Sequence, residues 1–143
     1  MKNMKCFLCQ KNKNLLIKKY KYWTVLIHLN QCYLGRCVIK LNRHIVDLFD
    51  ITQKERNELF RVMKRLRNAL KKLFQPDLFN YASLGNEVQH LHFHLIPRYK
   101  TERFFGNIKF LDKNWGKNCW PHGEKELPTS ILNKLRKTIK NAV

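Results

Sequence analysis

Residues 89–99, QHLHFHLIPRY, place His90, His92 and His94 on alternate positions, with Leu91, Phe93 and Leu95 between them. Along a strand, successive side chains point to opposite faces, and residues two apart lie about 6.5–7 Å from each other on one face. The alternation therefore predicts a strand over 90–96 that sends its leucines and phenylalanine into a core and presents three imidazoles together on the other side. A solvent-facing strand can carry histidine without consequence, yet strict alternation of three makes accident the weakest reading. A row of metal ligands is a stronger one, since imidazole is the commonest metal-binding side chain. Nucleophilic catalysis is stronger still. Neutral imidazole attacks phosphorus well, and its N-phosphoryl product hydrolyses readily. Neighbouring imidazoles can orient the nucleophile, donate to phosphate oxygens and manage the leaving group's proton.

The rest of the chain supplies a scaffold for such a strand. KYWTVLIHL (21–29) reads as a buried strand, and GRCVIKL (35–41) follows after a short polar turn to complete a hairpin. A helix opens at DITQKE, where Thr52 and Glu55 form a capping box that satisfies free backbone donors of the first turn. Leu59, Val62, Met63, Leu66, Leu70 and Leu73 keep one apolar face along it until Pro76 stops it. LFNYASL (78–84) reads as a further strand and GNEVQ as a loop. Beyond Pro97 comes a long irregular region, then a short helix starting at Pro128 and Thr129 with Ile131, Leu132, Leu135 and Ile139 inward. The order predicts an α+β fold: a mostly antiparallel sheet of about five strands, one long helix and a short C-terminal helix.

With 143 residues and 44% hydrophobic side chains, the expectation is one domain over 1–143. Neither repeats nor Pro/Gly-rich linkers divide it. No run approaches the roughly 18–20 apolar residues that cross a bilayer. The opening MKNMKCFLCQKNKN has no apolar leader segment, so the expected location is the cytoplasm, with reduced thiols and no membrane partner. A formal net charge of +19 favours phosphate-rich partners. Lysine, asparagine and isoleucine are all frequent and have A/T-rich codons, so base composition could supply much of that charge, which is permissive rather than diagnostic.

NYASLGN places Asn80, Gly85 and Asn86 immediately before the histidine strand. Glycine lets backbone N–H groups approach a phosphate closely, and asparagine amides donate to its oxygens. The plainer reading is a glycine–asparagine turn between strands.

These residues together carry a resemblance. His90-Leu91-His92-Phe93-His94-Leu95-Ile96 matches the His-apolar-His-apolar-His-apolar-apolar signature of the histidine-triad (HIT) superfamily. The wider run LFNYASLGNEVQHLHFHLIPRY resembles its diadenosine-polyphosphate hydrolase branch. The likeness covers most of the chain, including LGRCVIKLNRHIVDLFDIT and FLDKNWGKNCWP. It implies a HIT-like α+β domain, usually a homodimer, that cleaves nucleoside-phosphate conjugates at the α-phosphorus, across a phosphoanhydride or phosphoramidate bond. On this resemblance His92 is the nucleophile, His94 contacts the phosphate and assists proton transfer, and His90 completes the catalytic triad. Asn80, Gly85 and Asn86 fall on the phosphate side, and His28 or Asn30 is the ribose contact. Magnesium, if present, accompanies the polyphosphate of the substrate.

Cys6-x-x-Cys9 is half of a tetrahedral zinc site. No second such pair exists, because Cys32, Cys37 and Cys119 are scattered, so the remaining ligands should be histidines, with His44 and His90 the best candidates. Zinc-bearing members of the triad superfamily use this pattern, which implies a structural zinc on Cys6, Cys9, His44 and His90. Two unmetallated cysteines are the plain alternative, and in zinc-free relatives a histidine at the place of His44 lies near the phosphate instead. His122, like His28 apart from the ribose role, reads as a core-edge or loop residue.

Two other functions compete with the hydrolase. Removal of adenylate from nucleic-acid ends suits the basic charge, but the related repair enzymes add a zinc finger after the triad, and only Cys119 and His122 are available here. A non-catalytic nucleotide or nucleic-acid-binding module would keep the fold and gain nothing from a reactive His92. Nucleic acid is thus a possible but not a favoured partner: Arg61, Lys64, Arg65, Arg67, Lys71 and Lys72 read as the solvated face of the long helix. Trp115, Trp120 and Phe105 could stack on a base or plug a dimer interface, but tryptophan in an irregular segment more often packs than contacts a ligand, so they are given no role.

Overall fold

Strands Leu16–Lys19 (β1), Trp23–Ile27 (β2), Cys37–Leu41 (β3), Leu78–Ala82 (β4) and His92–Arg98 (β5) form one sheet. Its order is β1-β2-β3-β5-β4, every pairing antiparallel. The computed structural model describes residues 5–143; residues 1–4, where the reading of a leader-free start begins, lie outside them. The predicted α+β architecture is therefore observed, and the 21–29 and 35–41 segments do form a hairpin, Trp23 pairing with Leu41 and Ile27 with Cys37.

Helix α1 (Gln53–Phe74) begins at Thr52 with the predicted capping box and ends at Gln75 in the left-handed region, just before Pro76. Leu59, Val62, Leu66 and Leu70 are buried from it against Val25, Ile27, Ile39 and Leu95 of the sheet. Two carboxylates on the same helix are buried as well, each for a backbone reason. Glu58 accepts the N–H groups of Tyr22 and Trp23 at 2.6 and 3.1 Å, donors that the turn into β2 leaves free. Glu55 accepts from Thr52 N at 2.7 Å and from Arg43 Nε and Nη2 at 2.7 and 2.9 Å.

The Arg43 guanidinium, aided by the Thr52 bonds and against the opposing effect of burial, holds the Glu55 carboxyl down at about 2, below its ordinary 4.5. A carboxylate depressed in the folded state stabilises above its ordinary pKa and loses that contribution as pH falls toward the depressed value. The Tm advantage of the wild type over Glu55→Gln should therefore shrink between about pH 4.5 and about pH 2. A gap that stays constant through that window in thermal melts would remove Glu55 from the acid response.

Three strands among the described residues lie outside the predicted set. β1 precedes the first expected strand, and the region after Pro97 holds a small hairpin, Arg103–Phe105 (β6) with Ile108–Phe110 (β7). The last helix, Thr129–Ala142 (α2), starts where predicted and buries Leu135 and Ile139 against β1 and α1. Among the described residues no helix is long and apolar enough to cross a membrane.

The histidine strand starts two residues later than the alternation predicts. β5 begins at His92 and runs through Pro97 to Arg98. Leu91 N donates to Ile45 O at 2.7 Å and Leu41 N to Leu91 O at 3.1 Å, so the chain at 90–91 leaves the ladder to meet the 42–45 loop. His90 is thereby detached from the face that His92 and His94 share.

Candidate active site

His92 and His94 face the floor of a cleft of about 510 Å³, walled by Phe7, Leu8, His28, Arg36, Gly85 and Trp120 among others. The His92 ring is held by its own chain. His92 Nδ1 lies 2.5 Å from the His90 carbonyl, which can only accept, so Nδ1 carries a proton and Nε2 is the lone-pair nitrogen of the neutral ring. Ser83 Oγ donates to the His92 carbonyl at 2.7 Å, just beyond the last β4–β5 pair, Ala82 with His94. His92 is 7% exposed, more enclosed than a strand surface alone would leave it.

His94 has the opposite tautomer. Arg36 Nη2 donates to His94 Nδ1 at 3.4 Å, which leaves the ring proton on Nε2. Burial first, and the Arg36 charge second, push both His94 and His28 down to about 3, so these two rings are neutral. The rings of His92 and His94 lie edge to face with centroids 5.1 Å apart.

Of the residues expected near the substrate, His28, Asn30, Gly85 and Asn86 line this cleft, and Asn80 does not. The carbonyl oxygen of Asn80 accepts from Arg98 Nη1 at 2.8 Å, and its side chain faces a separate groove with Tyr81 and Trp115. The alternation of β4 decides this: Asn80 pairs with Ile96, beyond the His92–His94 end of β5. Asn30 has a structural assignment. Its oxygen accepts from Cys32 N and Lys125 N at 3.0 Å each, and its amide donates to Gly123 O at 3.1 Å. It thus ties the 120–126 loop across the mouth. Gly85 takes φ +69°, a conformation other residues resist, and a Cβ there would meet little.

His90 is not a cleft residue. Its Nδ1 faces Cys6 Sγ at 3.5 Å, Cys9 Sγ at 3.4 Å and His44 Nδ1 at 3.2 Å, while Cys9 Sγ lies 3.3 Å from His44 Nδ1. These four ligand atoms lie within 4.8 Å of one another, and they are the one such His/Cys/Asp/Glu group among the described residues able to hold a metal ion. His90 Nε2 donates to Leu41 O at 2.8 Å, leaving Nδ1 as the ligand atom. Its contribution to the cleft is the backbone carbonyl beneath His92. Among the described residues Cys119 and His122 form no second group.

Arg36, Trp120 and His122 are among the residues that shape the cleft without having been assigned to it from the sequence. Arg36 had a readable signal, because Val38 pairs with His94 and a residue two before Val38 shares its face. His122 and Trp120 arrive on the loop after β7. Arg98, with Asp112 on it at 2.7 and 3.1 Å, fixes the start of that loop, and Tyr33 Oη donates to Cys119 O at 2.8 Å further on.

Against known proteins, the HIT domain matches residues 10–101, well over half of the chain. This chain belongs to the HIT family. Among curated proteins this HIT protein is similar to the bis(5'-adenosyl)-triphosphatase of Saccharomyces cerevisiae, 31% identical over 88 residues that cover 57% of this chain. The matched part is 43% of that relative's length, so the chain spans less than half of it. Among solved structures it shares the fold of a histidine triad protein from Bradyrhizobium japonicum, at TM-score 0.75, 21% identity, 89% of this chain and 88% of the other. A zinc-bound histidine triad family protein from Mycobacterium smegmatis aligns at TM-score 0.60 and 16% identity over 89% and 84% of the two chains.

Proposed function

We propose that this HIT protein is a nucleotidyl hydrolase or transferase acting at the α-phosphorus of nucleoside-phosphate conjugates, with a diadenosine polyphosphate the favoured substrate. The observation that carries it is the His92 tautomer: Nδ1 bonded to the His90 carbonyl and Nε2 left basic in the cleft. In the first step Nε2 forms a bond to phosphorus and the bridging P–O bond breaks, its electron pair leaving with the departing phosphate. The imidazolium so formed has its charge stabilised by the carbonyl already seated on Nδ1–H. In the second step water attacks the same phosphorus, the P–N bond breaks and the ring regains its lone pair, releasing a nucleoside monophosphate. His94 Nε2–H and the backbone at Gly85 and Asn86 serve the phosphate oxygens. Similarity to the yeast triphosphatase supports the adenylated substrate.

Zinc belongs to the same reading. Bonds of about 2.0–2.3 Å in a tetrahedron separate ligand atoms by roughly 3.3–3.8 Å. Four of the ligand-atom spacings, at 3.2–3.5 Å, and the two-thiol, two-imidazole donor set fit. Cys6, Cys9, His44 and His90 would hold the ion, which supplies a structural clamp between the N-terminal segment and the residue beneath His92. The fold and the zinc-bound relative support it. The reading also includes a homodimer: β4 is an outer strand of the sheet with Leu78 and Tyr81 exposed on it, an edge open to a second copy.

The direct test is to quench the protein during turnover of diadenosine triphosphate and map the adduct by mass spectrometry. Adenylate is expected on His92. Turnover that passes through no enzyme-bound adenylate, or through one on another residue, would overturn the mechanism.

A further inference from the structure

Arg36 is an arginine buried without a counter-charge. It is 3% exposed, yet the ion pairs of the described residues are Arg43–Glu55, Arg98–Asp112, Arg103–Asp77 and Lys109–Glu102, none of which includes it. Arg98, 2% exposed, is treated differently by the same fold, which supplies Asp112 in two bonds. Arg36 donates instead to two imidazole nitrogens, His122 Nε2 at 3.0 Å and His94 Nδ1 at 3.4 Å, lies 5.8 Å from the centroid of Trp120, and has no partner for Nε. The Cys32 thiol beside it is pushed up by burial and stays uncharged. A guanidinium keeps its proton in such surroundings, and a desolvated cation is unfavourable until an anion meets it. Because Arg36 lines the cleft beside His92 and His94, that anion is placed to come with the ligand.

We infer that Arg36 is a catalytic residue that receives the departing phosphate, making the cleft selective for phosphate leaving groups over amines. The inference rests on the nucleotidyl-transfer reading and names the class of bond it cuts. When His92 Nε2 attacks, the bridging oxygen keeps the electron pair of the broken P–O bond, so the leaving phosphate departs as an anion. It needs a positive charge and no proton. An amine leaving from a P–N bond needs a proton on nitrogen, and Arg36, His28 and His94 are poor sources of one; besides His92, His122, Glu87 and Glu124 are the other titratable side chains of the cleft. Arg36 does not release its protons, and His28 and His94 are neutral, held at about 3 by burial and by Arg36 itself.

The test compares kcat/KM of wild type, Arg36→Met and Arg36→Lys on diadenosine triphosphate and on adenosine 5'-phosphoramidate. Arg36→Met is expected to lose about 10²–10³-fold on the anhydride and less than about tenfold on the phosphoramidate, with Arg36→Lys recovering part of the first loss. Removing an unpaired buried charge should leave Tm unchanged or higher, which separates lost chemistry from lost folding. Equal losses on both substrates, or an undiminished anhydride rate in Arg36→Met, would overturn the assignment. A second readout needs no turnover: inorganic pyrophosphate should raise the Tm of the wild type and not that of Arg36→Met, and equal shifts in both would also overturn it. If the wild type cleaves neither substrate, the nucleotidyl-transfer reading fails on its own, while a pyrophosphate shift lost in Arg36→Met still upholds the anion site.

Discussion

His92→Gly is expected to lower turnover of diadenosine triphosphate by at least about 10⁴-fold while nucleotide binding changes by no more than a few-fold. The size follows from the role. Without the imidazole no nucleotidyl–enzyme bond can form, and one difficult displacement by water replaces two easier ones. Binding should survive because His28, Arg36, Gly85 and Trp120 wall the cleft independently of that ring. Leu91 and Leu95, which anchor the strand in the core, are also untouched. Steady-state kinetics with a fluorescent or chromatographic assay, beside calorimetric titration with AMP, separates the two effects. Wild-type turnover in the glycine variant would remove His92 from the chemistry, and loss of AMP binding in step with turnover would assign it to the ground state instead.

Zinc loss is the second large effect. Purified protein is expected to hold about one zinc per chain, and Cys9→Ala to fall below about 0.2, with Tm lowered by on the order of 10 °C. Cys9 closes a single 3-10 turn, Phe7–Cys9, which buries the Leu8 side chain and accepts from the Lys40 ammonium at Leu8 O and from the Asn12 amide at Phe7 O. Releasing the clamp frees Phe7 and Leu8, which wall the cleft, and loosens His90, whose carbonyl seats His92. Both KM and kcat should therefore worsen, with kcat reduced less than in His92→Gly. Elemental analysis and thermal melts check it. Less than about half an equivalent of metal in unchelated wild type, with Tm unmoved in Cys9→Ala, would leave the four residues as a plain thiol–imidazole cluster.

Much of this fold is legible along the chain because its signals are local. The capping box at Thr52 and Glu55, the leucine rhythm of α1, the stop at Pro76 and the alternation of 91–95 each involve residues within a turn or a strand of one another. β1 was harder to see: LIKK is only four residues with Ile17 alone fully buried, so its period is too short to register. Strand hydrogen bonds and α2 packing, not a pattern of its own, hold it in place.

By itself the amino-acid order determined an antiparallel α+β domain core, a candidate nucleophile at His92, and four candidate metal ligands from motifs 35 and more residues apart. Only the tertiary structure decided what each imidazole does. His90 left the strand because Leu91 bonds Ile45 across the sheet end, which turned its ring to the cysteines and its carbonyl to His92. Asn80 went to another groove because strand pairing set it opposite Ile96. Arg36 and His122, 86 positions apart, met because β3 lies beside β5 and the loop after β7 folds back over both. Protonation states and unpaired charges depend on which groups burial brings within a few ångströms, and separation along the chain carries no record of that.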